Sequence, residues 1–314
     1  MKCELLGGSV PAALHLNNKL GTFLNLDALG TRSSVLDVEY QHLPPPLQGG
    51  IFQAKTNTAT GVVVLGGSSG RVDVARARLC ASQGATVIAL RWFGGEGQVP
   101  GICEVPLEIF FAATDYLMEL GCRRIVLVGT SKGAEAALLT AVYDPRISAV
   151  IAMSPSSVVW GNIGPGLDGI SWPERSSWTL RGTPLPFVSS DPEWVQEYRD
   201  GLVAYRGLFE RCLQVHESEI ELATIPLEKT TAEILLVAGG DDALWPSDEF
   251  AAAIVRRRAA SGLLTQLVLG EDAGHRILLP GETTPRSSLR AHGGSEKADA
   301  ELGRLAWEYV LAAL

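Results

Sequence analysis

Two short stretches of the chain place a serine between glycines as Gly-x-Ser-x-Gly: Gly66-Gly67-Ser68-Ser69-Gly70 and Gly129-Thr130-Ser131-Lys132-Gly133. A serine hydroxyl attacks an acyl carbonyl only when a base takes its proton and donors hold the resulting oxyanion. Ser131 follows the apolar run Arg124-Ile125-Val126-Leu127-Val128 and precedes the small-residue run Ala134-Glu135-Ala136-Ala137-Leu138-Leu139. Strand, sharp turn and helix in that order are the context of a nucleophile elbow. The serine backbone is strained in such a turn, so its flanks must be small, as Gly129 and Gly133 are. The amide of Lys132, at the helix start, then points at a developing oxyanion. Ser68 follows Val62-Val63-Val64-Leu65, and its loop suits a second backbone donor, with Gly67 beside the substrate. The reading assigns Ser131 as nucleophile and Lys132 and Ser68 as oxyanion donors. Ordinary tight turns between strand and helix are the alternative at both places.

A base and an acid should follow the serine in chain order. Five histidines are available. His15 and His42 precede Ser131, His216 lies in an irregular region, and His292 sits in a Gly-rich turn. His275 follows the strand-like run Gln266-Leu267-Val268-Leu269, where a loop can swing an imidazole over the elbow. The acid should leave the run Ile234-Leu235-Leu236-Val237-Ala238, and Gly239-Gly240-Asp241-Asp242-Ala243-Leu244-Trp245-Pro246 comes next. Its register favours Asp242, with Asp241 as the alternative. Arg276 is as readily solvated as in contact with substrate. The run Arg256-Arg257-Arg258 reads as a solvated helix face, with phosphates of a coenzyme as the alternative.

These residues need a scaffold that gathers strand ends. From Gly61 onward short apolar runs alternate with helical patterns, as far as Ile147–Met153. This argues for an α/β fold: a mostly parallel sheet with helices on both faces. The alternation stops at Ser154 and resumes at Glu233. Residues 1–60 read as an N-terminal extension with an edge hairpin, Val35–Gln41 and Gly49–Lys55 around Pro44-Pro45-Pro46. Residues 61–153 and 231–314 read as the core. Residues 154–230 read as a lid insertion, with a polar helical stretch near Asp191–Glu217. Its aromatics Trp160, Trp172, Trp178 and Phe187 are candidates to line an acyl pocket, with lid core as the alternative.

Apolar residues make up 46% of the 314 and charged residues 19%, so a large core is within reach. The net charge of −9 argues against a general nucleic-acid binder. The five cysteines, Cys3, Cys80, Cys103, Cys122 and Cys212, form no Cys-x-x-Cys pair. Neither a zinc site nor a disulfide framework is expected, and no metal or cofactor. With no signal-like start and no membrane-length apolar run, a cytoplasmic protein without membrane contact is expected. The turn Leu65–Gly70 is also similar to the opening of a short-chain dehydrogenase. There Val72 occupies a position where the pyrophosphate needs glycine, and the Tyr-x-x-x-Lys pair is missing.

Taken together, Gly129-Thr130-Ser131-Lys132-Gly133-Ala134-Glu135, Asp241-Asp242-Ala243-Leu244-Trp245-Pro246-Ser247, Ala273-Gly274-His275 and the closing Gly293-Gly294 resemble one family. It is the C-terminal domain shared by acyl-CoA thioesterases and bile acid-CoA:amino acid N-acyltransferase, and the similarity spans roughly residues 60–314. The resemblance implies an α/β-hydrolase fold and an acyl-enzyme mechanism, with the family's Ser, Asp and His on Ser131, Asp242 and His275. The amino-acid-transferring member uses Cys, so Ser131 favours hydrolysis. Animal members carry an N-terminal β-sandwich domain for which the stretch before Gly61 is too short. An acyl thioester of CoA or of an acyl carrier protein is the implied substrate. Carboxylic-ester hydrolysis, acyl transfer or cyclisation by the same residues, and a non-catalytic binding protein on the scaffold, are the alternatives.

Overall fold

The computed structural model describes residues 38–54 and 58–314. Cys3, His15, the first residues of the expected strand at Val35, and Lys55 lie outside them. Val38–His42 (β1) and Gln48–Ala54 (β2) pair antiparallel, and β2 pairs antiparallel with Thr86–Arg91 (β4). Thr60–Leu65 (β3) lies between β4 and Arg124–Thr130 (β6), parallel to both. Ile147–Met153 (β7), Glu233–Gly239 (β12) and Gln266–Gly270 (β13) continue the parallel run. The sheet order is β1-β2-β4-β3-β6-β7-β12-β13, with only β2 reversed.

The two faces follow from alternation along each strand. Val63, Leu65, Ile88, Leu127, Val150 and Leu236 pack against Glu108–Glu119 (α2), Lys132–Tyr143 (α3) and Ser247–Ala260 (α6). Val62, Val64, Val87, Val126, Ile151 and Val237 pack against Val74–Ala81 (α1) and Glu296–Ala313 (α7). Burial on both faces is why these strands read as unbroken apolar runs. Each fully buried Val or Leu here contributes about 1.5–3 kcal/mol. Asp73 accepts from the Arg76 amide at 3.3 Å and Ser295 from the Ala298 amide at 3.1 Å, so α1 and α7 begin at side-chain caps.

The segment between β7 and β12 corrects the expected helix at Asp191–Glu217. Val105–Pro106 (β5), Trp178–Leu180 (β8) and Thr183–Pro184 (β9) make a small sheet, and Glu197–Arg199 (β10) pairs with Leu202–Ala204 (β11). Asp200 and Gly201 both have positive φ, 51° and 75°, as a tight two-residue hairpin requires. Helix begins only at Arg206–Val215 (α4), followed by Glu217–Ala223 (α5). No helix among the described residues is long and apolar enough to cross a membrane.

Candidate active site

In a parallel sheet the loops after the strands share one rim. Those after β3, β6, β7, β12 and β13 carry Gly67 and Ser68, Ser131, Ser154, Asp242 and His275. Ser131 sits between β6 and α3 at φ 58°, ψ −122°, a conformation that side chains rarely adopt. Crowding explains its glycine flanks. A Cβ on Gly133 would lie 2.4 Å from the carbonyls of Leu65 and Gly66, and one on Gly129 would lie 2.2 Å from the carbonyl of Gly133. A Cβ on Gly67 would lie 3.2 Å from that of Ser131, so the loop after β3 runs directly beside the serine. Lys132 occupies the first position of α3, where a backbone N–H has no partner within the helix.

His275 Nδ1 stands 2.8 Å from Asp242 Oδ2, the hydrogen-bond distance of an imidazole on a carboxylate. Asp242 is 1% exposed, yet every lone-pair direction is served. Oδ1 accepts from the Leu244 and Trp245 amides at 2.8 and 3.2 Å, and Oδ2 also accepts from the Ser247 hydroxyl at 2.7 Å. Asp241 turns the other way. It takes both nitrogens of Arg199 at 2.7 Å and the Gly294 amide at 2.8 Å, and the Arg199 bonds hold its carboxyl below the usual range. The Ser131 amide donates to Met153 at 2.9 Å, and the next residue, Ser154, donates its hydroxyl to the His275 carbonyl at 2.8 Å. Two consecutive residues of β7's end thus tie the serine turn to the histidine loop.

The candidate pocket aromatics behave differently. Trp178 is 0% exposed and packs on Trp92 and Phe110 in the main core. Its indole donates to Glu135 at 2.6 Å, and the Trp160 amide donates to the same carboxylate at 3.2 Å. Trp160 packs on Phe209 and Phe250. Both are buried among core aromatics, the alternative reading of these residues, and neither lines the two clefts described below. Trp172 is 72% exposed and Phe187 is half-buried. Glu135 also pairs with Lys132 Nζ at 2.7 Å, and burial lowers the Lys132 ammonium pKa. This closed polar knot anchors residues 154–230 to the first turn of α3.

A cleft of about 430 Å³ lies beside Asp241 and Asp242, lined also by Tyr198, Arg199 and Arg206. Another of about 340 Å³ lies between α6 and the insertion, with Val158, Ile220 and Phe250 as walls and Arg256 among its lining residues. Ser131 lines neither. The arginine run divides: Arg258 is buried on the carbonyls of Leu227, Thr230 and Ala232, Arg257 pairs with Glu228, and Arg256 is exposed. Arg276 is buried too, donating to the Thr284 carbonyl and standing 3.6 Å from Asp299. Cys80, Cys103, Cys122 and Cys212 are buried and free, and the described residues hold no group of three or more potential metal ligands.

His292, set aside in the sequence as a residue of a Gly-rich turn, lies beside the candidate base. Its ring centroid is 6.2 Å from that of His275, and burial, with repulsion from His275, lowers its pKa to about 4. An unfolded histidine titrates near 6.5. As pH falls from about 6.5 toward 4, the unfolded state takes up a proton that the folded state refuses, so this position contributes stability that is lost across that window. His292→Gln should therefore lose less melting temperature between pH 7 and pH 5 than the native chain does. Equal losses in the two proteins, read by circular dichroism, would count against the assignment.

The family model described as BAAT / Acyl-CoA thioester hydrolase C terminal matches residues 105–312. Acyl-coenzyme A thioesterase 6 of Homo sapiens is 26% identical over 261 residues, covering 80% of this chain and 58% of that protein. The mitochondrial acyl-coenzyme A thioesterase 2 of Mus musculus is 29% identical over 263 residues, covering 80% and 53%. The chain thus spans just over half the length of these curated relatives. Among solved structures, a dienelactone hydrolase-like promiscuous phosphotriesterase from metagenomic libraries aligns with TM-score 0.52 at 14% identity, covering 88% of this chain and 97% of that one. Carboxyl esterase 2 of Tuber melanosporum aligns with TM-score 0.50 at 13% identity, covering 92% and 90%. At such identities the likeness is one of fold, the α/β-hydrolase fold.

Proposed function

Because the chain belongs to the BAAT / acyl-CoA thioester hydrolase C-terminal family, we propose that it is a serine hydrolase cleaving acyl thioesters of the acyl-CoA type. The observation that carries the reading is the Asp242–His275 pair on the rim that also holds the strained Ser131 turn. His275 Nε2 takes the Ser131 proton as Oγ attacks the thioester carbonyl. The Lys132 amide and an amide of the Gly67-Ser68 loop stabilise the oxyanion. Collapse breaks the carbon–sulfur bond, and His275 returns the proton to the leaving thiolate. Water, deprotonated by the same imidazole, then releases the carboxylic acid and frees Ser131. Asp242 orients the ring and stabilises its cation throughout.

The names of the curated relatives favour CoA over a carrier protein as the thiol. The test is mass spectrometry, intact and after digestion, on the native protein acid-quenched rapidly with acyl-CoA thioesters of increasing chain length. The acyl mass should appear on the peptide holding Ser131, with free CoA released in step. No adduct with no thiol release, or an adduct on another residue, would remove the proposal. Added amine or alcohol acceptors extend the same assay: acceptor-dependent product in place of acid would reassign the chain to acyl transfer.

A further inference from the structure

We infer that Arg76 is a positioning residue that sets the spacing between Ser131 and His275, an inference that rests on the hydrolase reading of those two residues. Arg76 lies in the first turn of α1 and is 5% exposed. Its Nη1 donates to Thr130 Oγ1 at 2.6 Å, and its Nη2 donates to the Ile277 carbonyl at 3.1 Å. Thr130 immediately precedes the nucleophile, and Ile277 follows the base by two residues. Nε and Nη2 reach Glu282, each at 2.8 Å. Glu282 also accepts from the Leu279 amide at 2.9 Å, so the carboxylate grips the histidine loop at a second point.

A buried guanidinium is costly without a counter-charge, and Glu282 supplies one. A guanidinium carries five N–H donors, and Glu282 serves only Nε and Nη2, so the rest need acceptors of their own. Here the two acceptors are Thr130, next to the nucleophile, and Ile277, two residues past the base. Guanidinium is planar with its donors in a fixed fork, so the two acceptors cannot drift independently. It closes a brace from α1 between the serine turn and the histidine loop, additional to the Met153-Ser154 tie. Displacing a reacting group by about 1 Å costs on the order of 100-fold in rate.

The experiment compares Thr130→Val, Thr130→Ser and the pair Arg76→Met with Glu282→Leu. Valine keeps the shape of Thr130 and loses the acceptor, so kcat should fall about 10-fold with KM within about twofold, and serine should restore most of it. Thr130→Val strands a buried guanidinium donor and should melt below Thr130→Ser, so rates are compared well below both transitions, where a merely structural role would leave kcat native. The double variant should lose about 100-fold in kcat. A second readout needs no turnover: the downfield proton resonance of His275 Nδ1, shared with Asp242, should shift or broaden in the double variant and persist in Thr130→Val. Native kcat in Thr130→Val, or a native resonance in a folded double variant, would overturn the role of Arg76. If the native protein cleaves nothing, the hydrolase reading fails separately, and the resonance still decides whether Arg76 places His275. If the double variant does not fold, the Thr130 pair decides.

Discussion

Ser131→Ala should lower kcat for thioester cleavage by about 10⁵-fold or more, while the protein keeps its fold and its affinity for substrate. The size of the effect follows from what remains. Water must attack in place of Oγ, and on the proposed mechanism the imidazole loses the hydroxyl it deprotonates. Oxyanion donors and bound substrate leave about 10³–10⁴-fold of catalysis over the uncatalysed rate. The fold should survive because the Ser131 side chain makes no capping bond to α3, and its amide bond to Met153 belongs to the backbone. Alanine inherits the same positive φ and nearly the same volume, so its melting temperature should lie close to the native one. Thiol release followed with a colorimetric thiol reagent gives kcat, and calorimetry gives the fold control. A folded Ser131→Ala protein working within tenfold of the native rate would mean that another group performs the attack.

The strand ends were legible because each parallel strand is buried on both sides and so announces itself as an apolar run. Everything placed one to six residues after such a run, Ser131, Asp242 and His275 included, inherits a position on the rim from that fact alone. Asp241 and Asp242 were a different matter. Adjacent residues leave a strand end in opposite directions, and only the partners separate them: Arg199 for one, His275 for the other. Arg199 lies on β10, inside a stretch whose polar character read as helix. The Asp200-Gly201 turn that breaks it is a two-residue signal in a long segment, easily outvoted by its neighbours.

Trp160 and Trp178 illustrate a second limit. Aromatics in a Gly- and Pro-rich insertion fit a pocket as well as a core, and composition does not choose. The choice is made by Glu135, a buried carboxylate that needs donors and finds the Trp160 amide, the Trp178 indole and Lys132. Glu135 stood in plain view in the Ser-Lys-Gly-x-Glu stretch, but its two tryptophan partners lie 25 and 43 residues away. Arg76 and Glu282, 206 residues apart, carry no local pattern at all. What a side chain bonds to across the sheet is a property of the packed object, and periodicity along one segment is blind to it.

The same contacts make Asp242→Asn the most informative conservative change, with kcat at neutral pH expected to fall about 10⁴-fold. The asparagine carbonyl would keep the Leu244 and Trp245 amides, which Asp242 Oδ1 now accepts. Its NH₂ would then face Ser247 and His275 where Oδ2 stands. A donor opposite Nδ1 reverses the imidazole tautomer: Nδ1 accepts, and the proton moves to Nε2, the nitrogen that must take the serine proton. The base is lost with the geometry nearly unchanged. Raising the pH deprotonates no group that would restore it, although hydroxide can partly replace the general base, so the deficit should narrow in alkaline solution. Asp241→Asn is the matched control, since it changes charge one residue away and disturbs only the Arg199 and Gly294 bonds. It should stay within about tenfold of native kcat, as expected for loss of a half-exposed ion pair. Steady-state thioester cleavage from pH 6 to pH 10 on both variants separates them. A reversed order, with Asp241→Asn the more damaged, would move the acid to Asp241 and break the proposed arrangement at its second member.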